Sequence, residues 1–221
     1  VEIRVSEDPA AAAGTWLAEQ IREAVRRRGE ALVAVSGGST APPMFRALLD
    51  HDVPWERTTI WQVDERVAPD GDPARNAGQL VPLPCQIRLM PVADTDLVAG
   101  ARRYGAGLPE RFDVVHLGLG SDGHTASWPP GDRVVDSEQP CETTGEFNGF
   151  ARMTLTPPVV NAARCRLMLT LGASKAPMVA RWLLHDPSIP ADRVRRDDTW
   201  LFLDPAAAED LPSPGDPVAT A

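Results

Sequence analysis

The sequence predicts an α/β fold, a parallel sheet covered by helices on both faces. Two observations predict it. Short apolar runs alternate with stretches of helical periodicity along the chain. The residues best suited to chemistry stand at the ends of those apolar runs, where open parallel sheets bind ligands. The length, 221 residues, suits one such domain.

The elements follow in order. Val1, Ile3 and Val5 alternate as in a strand. From Pro9 to Arg28, Trp16, Leu17, Ile21 and Val25 recur at helical spacing, and Gly29 supplies a stop. Ala31 to Val35 is an apolar strand ending in a glycine-rich turn, followed by a helix from Pro42 to Leu49. Further strands are expected at Thr59–Val63, Asp113–Leu117, Arg166–Leu171 and Thr199–Leu203, and helices at Asp94–Gly105, Pro157–Ala163 and Ser174–Leu184. The polar, Gly- and Pro-containing stretch from Pro129 to Gly149 reads as a long loop, of the kind that is often functional. Residues 1–204 then form one domain, and 205–221, rich in Ala, Pro and Asp without periodicity, form a tail.

Net charge is −9, with no block of like charges, so there is no electrostatic footprint for nucleic acid. Any anion site must gather its cations locally. Cys85, Cys141 and Cys165 are far apart and odd in number, which argues for a reducing compartment and against a cysteine-rich metal site. No apolar run reaches the ~18 residues of a membrane span, and the N-terminus does not read as a signal sequence. The expectation is a cytoplasmic protein, a monomer or weak dimer, with neither nucleic acid nor membrane as partner.

Four strand ends carry candidate functional residues. Ser36, Gly37, Gly38, Ser39 and Thr40 follow the Ala31–Val35 strand. Their small side chains let backbone amides approach a phosphate, and the next helix begins there. Asp64, Glu65 and Arg66 follow the second strand; three consecutive charges at the end of a buried strand are costly unless they are solvated, as at the start of a loop, or used. After the third, Gly118, Gly120 and Gly123 form a formal dinucleotide fingerprint. Pro129 and Pro130 would stop the helix that such a fingerprint must open, so the glycines are read instead as framing His124 with Asp122 beside it. A histidine oriented by a carboxylate is a standard general base. His116, inside the strand, reads as packing, and no spacing fits a metal motif. Lys175 follows the fourth strand and is the only lysine of the chain. A lone lysine among arginines suggests a point cation for phosphate, and Arg152 is its natural companion.

In order, the stretches SGGSTAPPMFRAL, WQVDERVAPDGDPARNAGQL, FDVVHLGLGSDGHTAS, RMTLTPPVVNAARCRLMLTLGASKA and WLFLDPAA resemble the 6-phosphogluconolactonase family, in the wider group that includes glucosamine-6-phosphate deaminases. The resemblance implies a Rossmann-like, mostly parallel sheet. It also implies hydrolysis of 6-phospho-D-glucono-1,5-lactone, a small phosphosugar, in the oxidative pentose phosphate pathway without metal or cofactor. Carried over by motif, His124 would be the base and Asp122 its orienting partner. The Ser36–Thr40 loop, Arg152 and Lys175 would hold phosphate, and Asp64 and Arg66 would meet the substrate. The chain departs from the family pattern at Trp128-Pro129-Pro130-Gly131 in place of Leu-Phe-Pro-Gly, at Ala41 in place of proline, and between Gly131 and Arg152. A deaminase would carry a glutamate where Pro129 stands. A non-catalytic sugar-phosphate sensor would need no base, and usually has an attached DNA-binding segment that this sequence does not show.

Overall fold

Local signals account for most of the elements in the structure, a computed structural model that describes residues 1–212. Strand β1 (Glu2–Val5) leads into α1 (Pro9–Arg28). Asp8 caps α1 by accepting from the Ala11 amide at 2.9 Å, Pro9 needs no amide partner there, and Gly29 ends the helix at φ +81°. Then come β2 (Ala31–Val35), α2 (Ala41–Leu49), β3 (Thr58–Gln62), β4 (Asp64–Arg66), α3 (Ala77–Leu80) and β5 (Gln86–Arg88). The chain continues through α4 (Leu97–Ala106), β6 (Val114–Leu117), β7 (Cys141–Phe147), β8 (Phe150–Leu155) and α5 (Pro157–Ala162). It closes with β9 (Cys165–Thr170), α6 (Ala176–Leu183) and β10 (Thr199–Leu203).

Seven strands form one sheet in the order β1-β10-β9-β6-β2-β3-β5, with every pairing parallel. Starting at β2, the chain moves outward through β3 and β5, then returns to the other side of β2 for β6, β9 and β10. The order therefore reverses between β2 and β6, and a crevice opens at their carboxyl ends. Successive side chains face opposite sides. Val33, Val35, Val114, Leu167 and Leu169 pack on Trp16, Leu17, Phe45 and Leu48 of α1 and α2. Ala34, Val115, Leu117 and Met168 pack in the second core with Tyr104, Val179 and Trp182. The predicted two-faced sheet is present.

Several expectations change. Asp64–Arg66 is not a solvated loop start: it is strand β4, with Asp64 and Glu65 buried, paired antiparallel to β8. The predicted loop 129–149 contains a 3-10 turn (Arg133–Asp136) and β7, which forms a hairpin with β8 and completes a second sheet, β4-β8-β7. A bulge between Thr144 and Phe147, around Gly145, blurs the alternation that marks a strand in sequence. The helix expected from Ser174 starts at Ala176, after a 3-10 turn, with Pro177 in its first turn. The short α3 and β5 were not anticipated.

Trp128, one of the departures from the family pattern, is fully buried and donates its Nε1 hydrogen to the Leu155 carbonyl at 2.8 Å. Ala41 is also fully buried at the start of α2. At the C-terminal end, Ala207 is buried and its amide donates to Asp204 Oδ1 at 2.7 Å, so packed structure extends past residue 205. The rest of the predicted tail, 213–221, lies outside the described residues. No helix among the described residues is long and apolar enough to cross a membrane.

Candidate active site

The crevice at the reversal of strand order is a cleft of about 210 Å³. Its walls include Ser36, Gly37, Gly38, Ser39 and Thr40 from the β2–α2 loop, Asp64 and Arg66 from β4, and His124 from the loop after β6. Arg152 of β8 and Lys175 just before α6 complete the cations. Every predicted site residue except Asp122 lines it, and Asp122 touches His124 from outside. Asn76, Ala126 and Thr170 also line it and were not predicted.

Residues Gly118–Ser127 form turns and open no helix, so the glycine pattern serves histidine placement. Gly120 donates its amide to the His124 carbonyl at 2.7 Å. A Cβ on Gly120 would fall 2.0 Å from His124 Nδ1 and 2.5 Å from Asp122 Oδ1, so the ring and carboxylate occupy the space a side chain would need. His124 Nδ1 and Asp122 Oδ1 are 2.5 Å apart. With the proton on Nδ1 facing the carboxylate, Nε2 is the lone-pair nitrogen. Partial burial pulls the Asp122 carboxyl upward, but hydrogen bonds from the His124 ring and amide outweigh it and hold Asp122 below its ordinary value. The ring meets Phe147 edge-on at 5.0 Å between centroids.

The cations come from different elements. Arg66 and Arg152 are direct cross-strand partners on β4 and β8, a like-charge pairing that is unfavourable unless anions lie nearby. Arg152 is buried, donates Nε and Nη2 to the Phe147 carbonyl at 3.2 and 2.9 Å, and lies 5.3 Å from the Phe147 ring centroid. Burial lowers its pKa, with the Asp64 charge opposing. Arg66 is steadied by the Ala74 carbonyl at 2.5 Å. Among the described residues, Lys175 makes no ion pair.

Asp64 is buried beneath them, and its Oδ2 accepts from Ser127 Oγ at 2.7 Å. Burial pushes its carboxyl above the ordinary range; the Ser127 and Ser36 hydroxyls and the Arg152 charge offset only part of this. Ser36 Oγ, though close to Asp64, has no hydrogen bond of normal geometry and is buried at the cleft wall. Of the amides in the Ser36–Thr40 loop, that of Gly38 already donates to Gln79 Oε1 at 3.1 Å. His116 is fully buried beside Phe45, packing below the loop as expected.

The glucosamine-6-phosphate isomerase/6-phosphogluconolactonase family model matches residues 5–203. The chain belongs to that family. It is 34% identical over 181 residues to the 6-phosphogluconolactonase of Synechocystis, covering 71% of this chain and 72% of that one. It is 34% identical over 249 aligned positions to the 6-phosphogluconolactonase of Streptomyces coelicolor, covering 96% of this chain and 94% of that one. The crystal structure of a 6-phosphogluconolactonase from Shewanella baltica superposes with a TM-score of 0.82 at 25% identity, over 92% of this chain and 97% of that one. The segment from Thr125 to Gly131, after His124, contains no Asp or Glu.

Proposed function

We propose that this protein hydrolyses 6-phospho-D-glucono-1,5-lactone to 6-phosphogluconate, the lactone-opening step of the oxidative pentose phosphate pathway. The observation that carries the reading is the meeting of one carboxylate-oriented histidine with three cations in a single cleft of an acidic protein. The Ser36–Thr40 loop, Lys175 and Arg152 hold the phosphate, with Arg66 and Asp64 toward the sugar. Anchoring the phosphate fixes where the lactone carbonyl lies relative to the base.

His124 Nε2 takes a proton from a water molecule as its oxygen attacks the lactone carbonyl carbon. The tetrahedral centre then collapses, the bond from that carbon to the ring oxygen breaks, and the imidazolium returns its proton to that oxygen. Asp122 keeps the Nδ1 proton in place and stabilises the transient imidazolium.

The test is the decay of freshly generated lactone at mildly acid pH, where spontaneous hydrolysis is slow. Wild-type protein should accelerate it, and His124→Ala should lose roughly 10²–10⁴-fold in kcat while still binding inorganic phosphate. An intact wild type that leaves the decay unchanged would rule the reading out and return attention to phosphosugar sensing.

A further inference from the structure

We propose that Asn76 is a positioning residue for the phosphate loop, fixing Gly37 against the strand that carries Asp64; the proposal rests on that loop binding phosphate. The Asn76 backbone N–H donates to Glu65 Oε1 at 2.7 Å, and its Nδ2 donates to the Asp64 carbonyl at 3.0 Å. Its Oδ1 is buried with no donor. A Cβ on Gly37 would lie 2.2 Å from that oxygen and 2.8 Å from the Asn76 Cβ. The backbone of Gly37 is not in the left-handed region, so alanine would be conformationally allowed there. What excludes a side chain at residue 37 is Asn76.

Glu65 makes the wedge rigid. Its carboxylate is fully buried and accepts from Gln62 Nε2 and from the amides of Arg66, Asn76 and Ala77, all within 2.8 Å, while Arg75 Nε stands at 3.3 Å. A buried carboxylate satisfied this fully holds its neighbours in one arrangement. Three residues further on, Gln79 takes the Gly38 amide. The segment from Asn76 to Gln79 thus touches two consecutive residues of the loop. His124 belongs to a separate loop, tied through Ser127 to Thr154 of β8 and to the side chain of Asp64, whereas Asn76 holds only the Asp64 backbone carbonyl. Loss of the wedge should therefore fall on phosphate affinity and KM rather than on kcat.

The experiment is calorimetric titration of wild type and variants with inorganic phosphate, beside lactone kinetics, with thermal melts to confirm folding. Asn76→Ala should weaken phosphate binding roughly 10-fold and raise KM alike, with kcat held within about 3-fold. Gly37→Ala should weaken phosphate binding in the wild type yet cost almost nothing in an Asn76→Gly background, where its methyl has room. Unchanged affinity in Asn76→Ala, a fall in kcat without a change in KM, or an equal Gly37→Ala penalty in both backgrounds would each overturn the proposal. Should the Asn76 variants fail to fold, Gly37→Ala decides alone: undiminished phosphate affinity refutes the wedge, and weakened affinity supports it. A wild type without measurable phosphate affinity overturns the proposal together with the loop's assignment. One that binds phosphate but leaves the lactone untouched sinks only the hydrolase reading.

Discussion

At the scale of single residues, two histidines show how environment divides one side-chain type into different roles. His124 is part-exposed and paired with a carboxylate; His116 is sealed in the sheet, and both its ring nitrogens lack a hydrogen-bond partner. Burial lowers the pKa of His116 from the ordinary 6.5 to about 4. Between those values the unfolded chain binds a proton at this residue and the native chain does not, so stability rises with pH. As pH falls from about 6.5 toward about 4, roughly 3 kcal/mol is lost at this position; below about 4 the native site protonates too and the loss levels off. The raised carboxyl of Asp64 acts with the opposite sign, since the native state takes that proton first. Chemical denaturation of His116→Phe at several pH values should show a flatter acid limb than wild type; an identical slope would mean the imidazole is charged in the core or hydrated there. A second residue-scale expectation concerns Gly120. A methyl there needs the space of the His124 ring, so Gly120→Ala should lower kcat nearly as far as His124→Ala with little change in phosphate affinity. Retained turnover would show that the ring has another productive position.

At the scale of elements, the legible parts are those whose signal is local. The helix over Pro9–Arg28 carries its cap, its proline and its terminal glycine within its own sequence, and structure and expectation agree residue for residue. The turn residues at Ser36–Thr40 and the Gly-framed His124 were legible for the same reason: small residues at a strand end have few other uses. The β7–β8 hairpin was not, because Cys141–Phe147 alternates poorly and its partner strand is fixed by contacts across the molecule. Asn76 escaped for a related reason. A single asparagine in a polar stretch carries no pattern, and only the fold brings it to Gly37. The hairpin also supplies Phe147, whose ring touches both His124 and Arg152. Phe147→Ala keeps the carbonyl that holds Arg152 but removes the ring between base and cation. It should cost roughly 3- to 10-fold in kcat/KM, since contacts of this kind are worth about 0.5–1.5 kcal/mol. Steady-state kinetics would show it, and an unchanged kcat/KM would reduce the hairpin to a cover.

At the scale of the whole molecule, the reversal of strand order brings together residues that are far apart along the chain, and it also decides the electrostatics. A chain of net charge −9 should repel a phosphorylated substrate, yet Arg66, Arg152 and Lys175 converge on one cleft. The attraction is therefore short-ranged and set against a repelling background. Raising ionic strength from about 10 mM to about 150 mM shortens the Debye length from about 30 Å to about 8 Å. That screens the distant carboxylates more than cations in contact with the phosphate, so KM should change only modestly with salt. Lys175 is only partly buried and is a point charge, so it should contribute through direct contact. Lys175→Ala should raise KM roughly 10- to 100-fold at any salt concentration, with kcat little affected because the base stands on another loop. Kinetics of both proteins across a salt series separate contact from field. A Lys175→Ala penalty that vanishes at high salt would make the lysine a long-range steering charge, and no penalty at all would remove it from the site.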